Sequence, residues 1–141
     1  MYSAVSLSKY VVTRCVDDGN PITNLQLQKI LFFIQKAWLE KYKFPAFSEP
    51  IQAWKFGPVV PTVYYMFCGN GAMAIMQRFD GLDSNFQNDK MLNEIIEQKR
   101  TLNPWELVNE THAPEGAWAK TFKHGLGNKQ TISIRDIQLY G

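Results

Sequence analysis

Apolar residues recur at helical spacing along most of this chain, and the pattern predicts a mainly α-helical protein. Leu7, Val11 and Cys15 stand four residues apart, which predicts a first helix over residues 3–17. The run Asp-Gly-Asn-Pro at 18–21 is a dense turn signal and ends this helix. The N-terminal part of the chain is therefore expected to contribute one amphipathic helix.

The second helix is longer and more apolar, and it is expected to lie at the centre of the fold. It is predicted over residues 25–42, with Thr23 or Asn24 as its cap, since short polar side chains accept hydrogen bonds from free first-turn amides. At about 100° per residue, one broad apolar arc forms. Its members are Leu27, Ile30, Leu31, Phe33, Ile34, Ala37 and Trp38, and the residues predicted opposite are Gln28, Lys29, Gln35 and Lys36.

A second apolar stripe interrupts the polar face of this helix. Leu25, Phe32 and Leu39 recur every seven residues within it. A surface helix with a single core contact does not need a second stripe. Either another element of the chain covers these three side chains, which is the commoner arrangement for a central helix, or a partner protein does.

Shorter elements are predicted for the rest of the chain, while residues 72–90 give no clear pattern. Further helices are expected at 61–67, 89–102, 104–111, 113–124 and 133–140, with short extended segments at 51–56 and 130–132. The expected architecture is a single domain over residues 1–141, mainly α and compact. About six to seven helices surround the central helix, with a short β-hairpin or edge strands.

Composition and charge argue against several classes of protein. The chain has 141 residues, of which 45% are hydrophobic, enough for one well-packed core. The net charge is only +2 and no run of like charge exceeds two residues, which disfavours a nucleic-acid binder. No apolar run approaches the ~20 residues of a membrane span, and no secretory signal is visible at the N-terminus. Two isolated cysteines fit free thiols and a cytoplasmic location.

No pattern of catalytic or metal-binding residues emerges. Cys15, Cys68, His112 and His124 are isolated, whereas zinc ligands usually come in close pairs. Glu106 and Glu110 lie one helical turn apart near His112, but a solvated helix face is the commoner meaning of such a pair. Phosphate-binding glycine motifs are missing as well. We expect no enzyme activity, no metal and no cofactor.

Three blocks of sequence form a specific combination. The first is L-x-L-Q-K in the central helix, with Leu27, Gln28 and Lys29. The second is E-P-I-x-A-W-K-x-G-P-V-V-P at 49–61. The third is T-H…W, and a terminal I-S-x-x-x-I segment at 132–137 follows it. The motif residues of these blocks are Leu27, Gln28, Lys29, Trp54, Lys55, Gly57, Pro58, Val59, Thr111, His112 and Trp118. Together the blocks resemble the Panacea domain, a family of bacterial and phage proteins that act mainly as antitoxins.

The resemblance implies an antitoxin that binds and neutralises a protein toxin encoded beside it, by direct contact. Such families are associated with prophages, and their toxins have unrelated folds. One fixed contact set would not suit dissimilar partners, so the motif residues are expected to form the scaffold. The candidate toxin-binding surface is Leu25, Phe32, Leu39 and Trp54, together with 72–90.

Two other functions stay open beside direct neutralisation. One is an adaptor or host- or phage-interaction protein that delivers a client for degradation. The other is a DNA-binding repressor, which the shortage of basic residues on the central helix disfavours. The sequence does not decide whether the chain forms a homo-oligomer.

Overall fold

Capped amphipathic helices make up most of the fold, which a computed structural model describes for all residues from Met1 to Gly141. The helices are α1 (Ala4–Asp17), α2 (Asn24–Tyr42), α3 (Pro61–Phe67), α4 (Asn85–Asn88), α5 (Lys90–Lys99), α6 (Pro104–Thr111), α7 (Ala117–Phe122) and α8 (Ile134–Tyr140). Three short strands accompany them: β1 (Gln52–Trp54), β2 (Gly57–Val59) and β3 (Gln130–Thr131). The mainly α fold class with a small β element is confirmed.

Local capping chemistry sets the helix starts that the sequence predicted. Thr23 begins α2 with a reciprocal capping box, in which its side chain accepts from the Gln26 amide and Gln26 accepts from the Thr23 amide. Asn103 and Glu106 form the same arrangement at the start of α6. Each box satisfies amides that a first helical turn leaves without partners. Both helices therefore begin within one residue of their predicted starts.

The three strands form one antiparallel sheet in the order β2-β1-β3. In the hairpin, Ala53 pairs with Pro58 and Trp54 with Gly57, so Lys55 and Phe56 form its two-residue turn. On the other edge of β1, Ala53 pairs with Gln130. The hairpin therefore joins the middle of the chain to its C-terminal part.

Helix α2 lies at the centre, in contact with α1, α3, α5, α6, α8 and β2. This arrangement shows that other elements of the same chain cover most of the second apolar stripe. Phe32 and Leu39 are each only 1% exposed, because the surrounding helices of the same chain enclose them. The prediction that these two residues belong to an exposed binding surface is therefore wrong. Leu25, at the start of α2, stays half-buried.

A second prediction, about the polar residues of α2, is wrong. Gln28, Lys29 and Gln35 were expected to face solvent, but all three are buried. Each is buried because it hydrogen-bonds to the backbone of a segment packed on α2, which offsets the loss of its contacts with water. Gln35, for example, accepts from the Ala46 amide at 2.7 Å and donates to the Phe47 carbonyl at 2.9 Å. Only Lys36 of the predicted polar set keeps partial exposure.

The segment at 72–90 is mostly irregular, and two contacts secure it. The Ile75 amide donates to the Ile22 carbonyl at 2.8 Å, and the Phe79 amide donates to Thr13 Oγ1 at 3.0 Å. A single helical turn, α4, lies within this segment, for which no element was predicted. It forms because Phe86 is fully buried against the core. Helix α7 also starts later than expected, at Ala117 after a turn through Gly116.

None of the helices combines the length and the apolar character that crossing a membrane would require.

Replacing Gln35 by leucine tests the role of the buried polar residues of α2. The change leaves the Ala46 amide and the Phe47 carbonyl buried without partners. We expect the free energy of unfolding in urea to fall by about 2–4 kcal/mol. Gln138→Leu, on the exposed face of α8, is the matched control and should change it by less than about 0.5 kcal/mol. Equal effects of the two substitutions would contradict this role.

Candidate interaction surface

A buried lysine fixes the hairpin to the central helix. Lys29 is 0% exposed, and its Nζ donates to the Pro58 carbonyl at 3.0 Å. The neighbouring Gly57 lies so close that a Cβ there would be 2.8 Å from Lys29 Cε and 2.8 Å from Thr111 Oγ1. Gly57 also has a φ of +112°, a conformation that L side chains rarely adopt. We refer to Lys29, Gly57, Pro58 and Thr111 as the lysine clamp.

Burial changes the acid–base behaviour of Lys29. It has no salt bridge to a carboxylate, so no opposite charge compensates the removal of its own charge from water. Desolvation accordingly lowers the pKa of Lys29 to about 7. The clamp therefore holds an amine that is partly neutral near physiological pH.

The T-H…W element, which consists of Thr111, His112 and Trp118, supports the hairpin at β1. The His112 ring stacks on Trp118 with a centroid distance of 3.7 Å and an interplanar angle of 4°. Trp118 Nε1 donates to the Trp54 carbonyl at 2.8 Å, which ties α7 to β1. Burial, and then the charge of Lys29, lower the pKa of His112, and its Nε2 is buried without a hydrogen-bond partner. The T-H…W element thus adjoins the lysine clamp, and the two share Thr111.

Gln28 completes this set of contacts. Its Oε1 accepts from the Val60 amide at 2.9 Å, and its Nε2 donates to Asn24 Oδ1 at 2.9 Å. Thr111 donates to the Val108 carbonyl at 2.8 Å, within its own helix. These hydrogen bonds all stay within the chain. The structure brings the three sequence blocks together around the hairpin.

Beside the hairpin lies a groove of about 320 Å³, which we call the hairpin groove. It is lined by Asn24, Leu25, Gln28, Lys29, Trp54, Lys55, Phe56, Val59, Tyr64, Cys68, Gly71 and Ala72. The N-terminal end of α2, the hairpin and α3 form its walls. Leu25 and Trp54, two of the four residues that the sequence singled out as a surface, lie in it together.

Exposed aromatic side chains surround the hairpin groove. Phe56 is 44% exposed and packs edge-to-face on Trp105, which is 58% exposed, with ring centroids 5.4 Å apart. Trp54 packs on Tyr64 at 4.9 Å, and Tyr64 packs on Tyr65, which is 62% exposed. Sequence reasoning missed Phe56, Trp105 and Tyr65. Phe56 occupies a hairpin turn and Trp105 a first helical turn, where apolar side chains commonly reach solvent.

A larger cleft, of about 600 Å³, lies at the C-terminal end of α1 and is mainly polar. Four of its six charged side chains are paired, and Asp80 and Asp83 have no salt bridge. Arg78 pairs with Asp17 at 2.5 Å, and Asp18 accepts from Arg100 at 2.7 Å. These contacts join α1 to later segments and leave few charges free for a ligand. The hairpin groove is therefore the stronger candidate site.

Comparisons with known proteins show which family this sequence resembles. The family described as "Antitoxin SocA-like, Panacea domain" matches residues 27–119, about two thirds of the chain. This chain belongs to the SocA-like antitoxin family. A curated relative, Antitoxin SocA of Caulobacter vibrioides (strain NA1000 / CB15N), is 32% identical over 127 residues. That alignment covers 82% of this chain and 67% of the relative. No solved structure matches the chain.

The acidic residues near the T-H…W element have structural contacts in this antitoxin-family chain. Glu106 caps α6 through Asn103, as described above. Glu110 accepts from Lys99 Nζ at 2.7 Å, which joins α6 to α5. Both carboxylates are therefore engaged in holding helices rather than gathered around a common point.

Gly57→Ala tests the close approach within the lysine clamp. The added methyl group overlaps Lys29 and Thr111 and also strains the backbone. We expect the free energy of unfolding to fall by about 3 kcal/mol or more. Gly81→Ala is the control, because Gly81 also has a positive φ but no atom within 4 Å of an added Cβ. Gly81→Ala should lower the free energy of unfolding by only about 1 kcal/mol. Equal decreases for the two substitutions would contradict the packing argument.

Lys29→Met tests the buried amine through pH. The pKa of Lys29 is about 7 in the folded chain and about 10.5 in the unfolded chain, so the unfolded state binds more protons between these values. The free energy of unfolding of the wild type should rise with pH over this window, by up to about 1.4 kcal/mol per unit, and flatten below pH 7. Subtracting the Lys29→Met curve isolates this contribution. Parallel curves between pH 7 and 10 would contradict it.

Proposed function

We propose that this chain neutralises a protein toxin by direct contact, and that the toxin docks on the hairpin groove and on the exposed side chains of Phe56, Tyr65 and Trp105 around it, which we call the rim. The observation that carries the proposal is the cluster of exposed aromatic side chains around a preformed groove. Phe56, Tyr65 and Trp105 are each more than two fifths exposed and stand on three different elements. Exposed aromatic clusters of this kind are typical of protein-binding sites.

The lysine clamp supports this assignment because it makes the groove rigid. A hairpin with a two-residue turn and three-residue strands is not stable alone. Here Lys29 and Gln28 hold β2 and the residue after it, and Trp118 holds β1. A preorganised surface loses less conformational entropy when a partner binds. The buried motif residues thus act as a scaffold, and the partner contacts fall on the rim and on the motif residues Trp54 and Lys55, which line the groove.

The proposed activity is binding rather than catalysis, in the cytoplasm. Its partner is a protein toxin, as the name of the SocA-like antitoxin family implies, and we propose that this toxin is encoded beside it. The two cysteines are unpaired, and Cys68 is exposed at the groove, which suits a reducing compartment. An exposed thiol would be prone to oxidation elsewhere.

The test combines co-expression with surface substitutions. The chain is expressed with the product of the neighbouring gene, and growth rescue and co-purification are measured. Phe56→Asp places a charge at the centre of the proposed contact and should weaken binding by about 2 kcal/mol or more. Leu139→Asp is the matched control, because Leu139 is 57% exposed on α8. It should leave rescue and co-purification unchanged.

The outcomes separate direct from indirect action. Rescue with a stable complex that only Phe56→Asp weakens supports the proposal. Rescue without any complex would overturn direct contact and favour an indirect route such as delivery of the toxin for degradation. A complex that only Leu139→Asp disrupts would move the interface to α8. Circular dichroism of both variants excludes misfolding as the cause.

A further inference from the structure

The surface around the hairpin groove has an unusual charge distribution. Residues 50–79, which include the hairpin and α3, contain no aspartate or glutamate, and α2 contains none before Glu40. The twelve residues that line the groove include two lysines and no carboxylate. The charged side chains that line the groove are therefore all basic, in a chain whose 13 acidic and 15 basic residues nearly balance.

Two exposed lysines stand directly over the aromatic rings of this face. Lys129 Nζ lies 5.1 Å from the Trp54 ring centroid, and Lys55 Nζ lies 5.5 Å from that of Phe56. Neither lysine has a salt bridge to a carboxylate. Lys129 adopts a left-handed backbone conformation with φ of 66°, which is uncommon for a lysine. The aromatic surface is therefore bordered by two ammonium groups that have no carboxylate partner in the chain.

From this we infer that the hairpin groove recognises an acidic segment of the toxin, in which an aromatic or aliphatic side chain enters the groove and flanking carboxylates pair with Lys55 and Lys129. This inference rests on the proposed function and names the chemistry of the partner. Carboxylates beside an apolar anchor complement a groove that offers apolar walls and free ammonium groups. A basic partner would be repelled by Lys55, Lys129 and the buried Lys29, because no carboxylate lines the groove.

The first test uses small probes and does not require the toxin. The protein is titrated with 3-phenylpropionate and with 3-phenylpropan-1-amine, while nuclear magnetic resonance follows the Trp54 indole and the amides of 54–57. The carboxylate should shift these signals and bind about three- to fivefold more tightly than the amine. Lys55→Glu/Lys129→Glu should reverse the order of the two probes. Equal affinities, or no shift at these signals, would overturn the inference.

The second test uses the purified product of the neighbouring gene and measures affinity at increasing salt. Lys55→Glu/Lys129→Glu should weaken binding by about tenfold or more at low salt, with a smaller difference at high salt. Lys90→Glu/Arg135→Glu is the matched control, since it makes the same change in charge in the first turns of α5 and α8. The affinity of this control variant for the gene product should stay within about twofold of the wild-type value.

These results distinguish the two proposals. If the wild-type chain does not bind the gene product, the proposed function fails, and the probe titration still decides the charge preference of the groove. If the wild type binds and the Lys55→Glu/Lys129→Glu variant binds equally well with the same salt dependence, only the inference about the acidic segment fails. Lys55→Arg/Lys129→Arg, which keeps both charges, should bind like the wild type.

Discussion

The close approach between Lys29 and Gly57 determines where the hairpin lies, and the other features of the candidate site depend on that position. A lysine amine is expensive to bury, and desolvation is the cause of its lowered pKa. Its hydrogen bond to the Pro58 carbonyl orients β2 against α2. Only glycine leaves room for the lysine side chain at this crossing, because a Cβ would overlap both Lys29 and Thr111.

The arrangement separates two tasks within a small chain. Buried polar side chains on α2 and the stacked His112–Trp118 pair hold the hairpin through contacts inside the chain. Exposed side chains on the hairpin turn, α3 and α6 then present apolar area to solvent. Such a division lets rim residues vary without disturbing the scaffold.

Sequence patterns predicted the helices well because their signals are local. The capping boxes at Thr23 and Asn103 and the first-turn prolines Pro61 and Pro104 need only neighbouring residues. The buried state of Lys29 could not be predicted from its own helix, since helical periodicity places lysine on the solvated face. Its burial depends on a backbone carbonyl 29 residues away in sequence. The burial of Phe32 and Leu39, and the meeting of Phe56 with Trp105, likewise depend on packing between distant segments.

Hydrogen exchange of the chain alone and in complex with the product of the neighbouring gene tests the central claim most directly. If the toxin docks on a rigid groove, amide exchange should slow over residues 54–72 and at the start of α6. Exchange in α8 should stay the same, and the amides next to Lys29 should already be protected in the free chain. Protection confined to α5 or α8, with unchanged exchange over 54–72, would contradict the account.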